Sequence, residues 1–146
     1  DAKNQGLNDS VKLPLIKGQL IDSTCFFSGD LCWFFWSEQG QGARTNHCAV
    51  IDSKGEVLSR ASAPEGAIDD DAWLATLRGK CAAGKSLFVA TEDGLVRVGI
   101  DQGKIVIAEK FADTESFVSP GHHLFVGGGG VYVVSRQEIN HLKLNR

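Results

Sequence analysis

The chain has no methionine, one tyrosine and only 3 prolines in 146 residues. It also lacks any apolar run near the roughly 20 residues that a bilayer-spanning helix requires, so no membrane partner is expected. Basic excess is missing as well. The 15 Lys and Arg are outnumbered by 18 Asp and Glu, for a formal net charge of −3, which argues against a broad electrostatic footprint for nucleic acid. Few prolines beside 17 glycines point to many tight turns that need backbone freedom rather than rigidity. The 42% hydrophobic and 23% charged content is globular and excludes global disorder. A reading frame opens with Met and this chain opens with Asp1, so a processed chain or a piece of a larger protein is expected. Residues 1–19 read as an N-terminal polar segment or linker, and 20–146 as a single β-repeat domain.

Four cysteines, Cys25, Cys32, Cys48 and Cys81, permit two disulfides in three connectivities. The nearest pair sits in a hairpin around Gly29-Asp30 whose register sets Phe27 opposite Cys32 and Cys25 opposite Phe34. Diagonal neighbours of that kind are about 7–8 Å apart, too far for a relaxed bridge. Free thiols in a reducing, cytoplasmic setting are expected.

From residue 24 onward, apolar runs of strand length alternate with turns. Residues 24–28 and 31–37 flank Gly29-Asp30, and further runs follow at 45–51, 56–62, 85–91, 95–100, 104–111, 123–126, 131–135 and 138–144. Turn signals spaced about 8–12 residues apart suit a sandwich or a propeller. Residues 71–78 break the pattern. Trp73, Leu74 and Leu77 share one helical face, an Asp can cap the start and Gly79 can end it, which predicts a short inserted helix. Runs 31–36, 87–90 and 104–108 are apolar on both faces, whereas a sheet with one wet face alternates. Layers in front and behind are therefore expected.

Part of the sequence repeats. Lys85-Ser86-Leu87-Phe88-Val89 and the turn after it can be laid on His122-His123-Leu124-Phe125-Val126 at an offset of 37 residues, near the roughly 40-residue period of propeller blades. Ala49-Val50-Ile51-Asp52-Ser53-Lys54-Gly55 resembles Val98-Gly99-Ile100-Asp101-Gln102-Gly103 in the same way. The unit Leu87–Val106, with its Asp101-Gln102-Gly103-Lys104 turn, resembles a blade of the broad β-propeller class, of the YVTN- and PQQ-like kind, where an Asp-x-x-Gly-Lys turn joins the third and fourth strands. That resemblance implies an all-β fold of about three antiparallel blades, a partial propeller, since closed rings use about 4–8. Another antiparallel sandwich or barrel is the alternative.

Motifs for chemistry do not hold together in the sequence. Gly79-Lys80-Cys81-Ala82-Ala83-Gly84-Lys85-Ser86 matches the phosphate-loop pattern, but that loop needs a strand before it and a helix after it. Here the order is reversed, so Gly84-Lys85 reads as a turn and no nucleotide is expected. Gly127-Gly128-Gly129-Gly130 reads as a tight hairpin. His122-His123 and His47-Cys48 are adjacent in sequence and so point to opposite faces of a strand, which disfavours a shared metal. Asp69-Asp70-Asp71 reads as a helix cap and dipole partner. Trp33 and Trp36 read as core. No catalytic residue and no cofactor are expected.

The expected function is a non-catalytic protein-interaction or assembly module, with a protein partner or self-association. A small-molecule or metal-binding sensor or enzyme domain, and a structural half of a larger propeller, are the alternatives. Sorting turns by strand direction collects Glu38, Glu65, Asp69, Asp70, Asp71, Glu92, Asp93, Asp113 and Glu115 on one rim as a candidate binding surface. Lys54, Lys85, Lys104, Arg136, His122 and His123 fall on the other. Such a polarised rim attracts a basic partner or cations.

Overall fold

The computed structural model describes residues 15–64 and 80–144. These form three antiparallel sheets, each a simple meander in chain order. The first holds β1 (Gln19–Ser28), β2 (Leu31–Gln39), β3 (Arg44–Ile51) and β4 (Val57–Pro64). The second holds β5 (Lys80–Ala83), β6 (Ser86–Thr91), β7 (Gly94–Asp101) and β8 (Lys104–Lys110). The third has only three strands, β9 (His123–Gly127), β10 (Gly130–Val134) and β11 (Ile139–Lys143). No sheet closes on itself. The described residues contain no helix, and so none long and apolar enough to cross a membrane. The helix expected over 71–78 lies outside the described residues.

The first hairpin of every sheet turns in two residues, and each turn opens with a glycine at positive φ: Gly29 at 55°, Gly84 at 59° and Gly128 at 60°. A residue with a Cβ is strained there, while glycine is not. The β1–β2 register places Phe27 opposite Cys32 and Cys25 opposite Phe34, as expected. Gly84-Lys85 is a turn between two strands, with no phosphate-loop helix after it.

The second sheet lies between the other two. Trp33, Phe35, Cys48, Val50 and Ala61 of the first sheet pack against Leu87, Val89, Val96 and Val98 of the second. The opposite side of the second sheet, Phe88, Ala90 and Leu95, packs on Leu124, Val131 and Val133 of the third. The alternation of inward residues along β6 explains its doubly apolar sequence, because both of its faces have a partner layer. In β2 the second face, Phe34 and Trp36, is covered instead by Leu15.

Two expectations need correction. The run at 104–108 is not covered on both sides, since Val106 is 39% and Ile107 51% exposed on β8. The first sheet reaches β8 with its β4, but among the described residues the third has no fourth strand to do the same. The repeat register also differs. The 37-residue offset lays β6–β7 on β9–β10, whereas β9 lies against β5 and the matching turns are those at Gly84 and Gly128. The structural repeat is therefore first hairpin on first hairpin.

Candidate functional site

Among the described residues the outer edge of β11 is unpaired and borders a groove. Leu144 N donates to Gly129 O at 3.1 Å and Ser135 N to Glu138 O at 3.0 Å. Antiparallel ladders alternate, so Asn140 and Leu142 use their backbone groups on β10. Ile139, His141 and Lys143 then point theirs away from the sheet. Beside that edge lies a groove of about 610 Å³, bounded by Lys143 and Leu144 on one side and by Arg97, Glu109 and Phe111 on the other. Arg97 Nε donates to Glu109 Oε2 at 3.2 Å across its floor. The outer face of the third sheet is bare: Phe125 is 56% and Ile139 69% exposed. Tyr132 and His141 stack there at 4.1 Å, with His141 Nε2 3.0 Å from Gly127 O.

The acidic rim is brought together only in part. Glu92 and Asp93 form the exposed β6–β7 turn. Asp113 and Glu115, also exposed, flank Thr114, which packs on Gly94 at the end of that same turn. Glu65, Asp69, Asp70 and Asp71 lie outside the described residues. Glu38, the second-last residue of β2 and next to the 40–43 loop, is buried rather than presented to solvent. The opposite rim needs correction too. His122, His123 and Arg136 share one cleft with the 116–121 connection, so they sit at the same end as the acidic loops. The direction of β9 accounts for this: it runs alongside β5, and that brings its start to the acidic end.

A polar row crosses the outer face of the first sheet. Glu38, His47 and Ser62 come from β2, β3 and β4. Ser62 Oγ lies 2.7 Å from His47 Nδ1. The other ring nitrogen, Nε2, is 3.3 Å from Glu38 Oε1 and 2.9 Å from Thr45 Oγ1. The His47 ring stacks on Trp36 at 5.1 Å, and Arg60 lies over the same indole at 5.4 Å. Lys17 N donates to Glu38 Oε2 at 3.1 Å, and Arg60 Nη2 donates to Leu15 O at 3.2 Å, so residues 15–17 are tied across this face. Burial alone would raise the Glu38 carboxyl, but the Lys17 and Gly18 amides, His47 and Trp36 hold it below its ordinary value. Burial depresses the His47 imidazole and outweighs the pull of Glu38, with Arg60 adding to the depression. Both shifts favour a neutral imidazole beside a carboxylate.

No family model matches the chain, and neither curated proteins nor solved structures give a match.

The two shifts set a pH dependence. Both groups take up a proton more readily in the unfolded chain. Stability is therefore fully present above the ordinary values of 6.5 for His47 and 4.5 for Glu38, and is lost as pH falls through their lower folded values. Urea unfolding between pH 7 and pH 4 is expected to show stability falling steadily with acid. Glu38→Gln should flatten the lower part of that slope, and an unchanged slope would remove Glu38 from the account.

A third feature is a cleft of about 450 Å³ between the first strands of the three sheets, lined by Cys25, Phe27, Lys80, Cys81, His123 and Phe125 among others. Burial pushes the Lys80 amine down to about 8 and the Cys81 thiol up to about 12. Among the described residues no three His, Cys, Asp or Glu group to hold a metal. None of the four cysteines is in a disulfide, and Cys25 is exposed while Cys48 and Cys81 are buried. Burial, then the neighbouring Cys25, raises the Cys32 thiol. Alkylation followed by mass spectrometry is expected to modify Cys25 first and Cys32 slowly, with Cys48 and Cys81 reacting only after unfolding. Early modification of Cys81 would contradict its burial.

Proposed function

We propose that this chain is an assembly module whose third sheet is completed by a strand from a second copy of itself. The vacant fourth-strand position beside β11 carries this reading. Among the described residues two sheets have four strands and the third has three, and the groove left beside Lys143 opens toward β7 and β8. An added strand would cover the groove and extend over Val106. Unpaired edge amides next to apolar surface are a template for strand addition. A symmetric antiparallel pairing of two β11 strands centred on His141 uses every outward-pointing amide. It sets Ile139 opposite Lys143 of the other copy, where the lysine stem covers the isoleucine and the two charges stay apart. The propeller-type resemblance supports this reading, since blades of that class are four-stranded sheets.

The test is light scattering coupled to size exclusion over a concentration series. A dimer is expected. Lys143→Pro is expected to return it to monomer, because that substitution removes an outward amide while sparing the β10 ladder. A monomer at about 100 µM, far above the range of typical specific dimers, would overturn the reading. So would a dimer that Lys143→Pro leaves intact, as would be found if partners met elsewhere.

A further inference from the structure

The polar row on the first sheet has the connectivity of an activated hydroxyl. Ser62 Oγ is exposed and bonds His47 Nδ1 at 2.7 Å, while His47 Nε2 faces the buried Glu38 carboxylate at 3.3 Å. Nucleophile, base and orienting acid are thus joined in series, which is the geometric signature of an activated nucleophile. The ring is turned relative to the usual serine-hydrolase arrangement, with Nδ1 rather than Nε2 on the hydroxyl. The roles depend on which nitrogen carries the proton, and Glu38 and Thr45 on the Nε2 side fix it there. That leaves the Nδ1 lone pair for the Ser62 proton.

Three further contacts hold the geometry. The ring is stacked on Trp36 at 5.1 Å. Glu38 is anchored by the Lys17 amide at 3.1 Å. The Ser62 amide donates to Gly103 O of the second sheet at 3.3 Å, so the serine backbone is held from a neighbouring layer. Arg60 sits two residues before Ser62 on the same strand and face, with its guanidinium over Trp36. It also donates to Leu15 O at 3.2 Å and adds positive charge to the surroundings of His47.

We propose that Ser62 is an acyl-accepting nucleophile, with His47 as its base and Glu38 as the positioning carboxylate, acting on small activated esters at the outer face of the first sheet. Ser62 Oγ bonds the ester carbonyl carbon as its proton passes to His47 Nδ1. The carbon–alkoxide bond then breaks, and the alkoxide leaves as the alcohol with that proton. Water repeats the step on the acyl-serine, releasing the carboxylic acid and restoring Ser62.

A fluorophosphonate probe reads the first half of this chemistry without needing the natural ester. Incubation of the full chain, followed by peptide mass spectrometry, is expected to place the label on Ser62 at a rate at least tenfold above exposed Ser53 and Ser116. Ser62→Ala, a surface change, should abolish it. His47→Gln, with folding checked by circular dichroism, should slow it at least tenfold. The wild-type rate should fall as pH drops through the His47 titration below 6.5, a profile set by the two charged groups that face the ring, Glu38 and Arg60. Glu38→Gln should move that profile as well as the rate. Hydrolysis of p-nitrophenyl acetate should follow the same order of variants. Labelling of Ser62 no faster than that of Ser53, or labelling indifferent to His47→Gln and to pH, overturns the proposal, because either result would leave the row as a purely structural network.

Discussion

Trp33→Ala is expected to destabilise the protein by about 4–6 kcal/mol, combining a large-to-small core truncation with one lost hydrogen bond. Trp33 is fully buried at the centre of the cluster that joins the first and second sheets. Its ring stacks on Phe35 at 6.2 Å, and its indole Nε1 donates to Gly84 O at 2.9 Å, in the first turn of the second sheet. The same turn is tied a second time, by Gly84 N donating to Ser28 Oγ at 2.8 Å. Truncation therefore empties the core and cuts one of two hydrogen bonds that align the first hairpins. Domains of this size have a total stability of only about 5–15 kcal/mol, so the loss is a large fraction of the whole. Trp33→Phe separates the two contributions. It keeps an aromatic ring, loses the Gly84 bond and should cost about 1–3 kcal/mol. Urea unfolding followed by circular dichroism gives both values, and a Trp33→Ala midpoint close to wild type would show that the two sheets do not depend on this contact.

The strand pattern was legible because turn chemistry and apolar runs are local. Gly29-Asp30 and Gly84-Lys85 announce two-residue hairpins, and the register of Cys25 and Cys32 followed from the first. Burial of β6 on both faces was legible for the same reason: Leu87-Phe88-Val89-Ala90 has no wet face. The failures come from strand neighbours that sequence distance conceals. Run 104–108 is as apolar as β6, yet β8 is an outer strand facing a three-stranded sheet, and nothing local reports that a neighbouring sheet is one strand short. Leu-Phe-Val recurs at 87–89 and 124–126, but the shared triplet misled the repeat register. The glycine that opens each first turn was the better marker. Glu38 looked like a loop charge because Glu38-Gln39-Gly40 reads as polar, whereas its neighbours are His47 and the Lys17 amide, brought in by strand pairing and by the incoming chain. The row Glu38, His47, Ser62 was invisible for that reason. Its members are separated by 9 and 15 positions in the chain and meet only once β2, β3 and β4 are in register. An alternating strand with His flanked by Thr two positions before it, as in Thr45-Asn46-His47, was the one available hint of a polar row on an otherwise apolar face.

The connection from the second sheet to the third should be nearly as sensitive, at a single hydroxyl. Thr114 is buried. Its Oγ1 accepts from Leu95 N at 2.8 Å and donates to Phe111 O at 2.8 Å. Its carbonyl accepts from the amides of Phe117, at 3.2 Å, and Val118, at 2.9 Å. One residue thus closes the connector on itself and fastens it to the start of β7. That fastening lets Val118 fill the core between the two sheets. Thr114→Val keeps the shape but leaves the Leu95 amide and the Phe111 carbonyl without the hydroxyl, a loss of about 2–4 kcal/mol for two buried groups. Thr114→Ser keeps both bonds and should cost far less. Gly94→Ala attacks the same joint from the other side, because a Cβ there would run into the Thr114 hydroxyl and the backbone holds φ at +104°. The damage should be local before it is global, since the contacts between the first and second sheets do not pass through Thr114. Hydrogen exchange on Thr114→Val is therefore expected to lose protection across β9 and β10 first, while β2 and β6 keep theirs. Equal loss across all three sheets would mean that the third sheet unfolds only with the rest, and that the connector is not the joint that holds it.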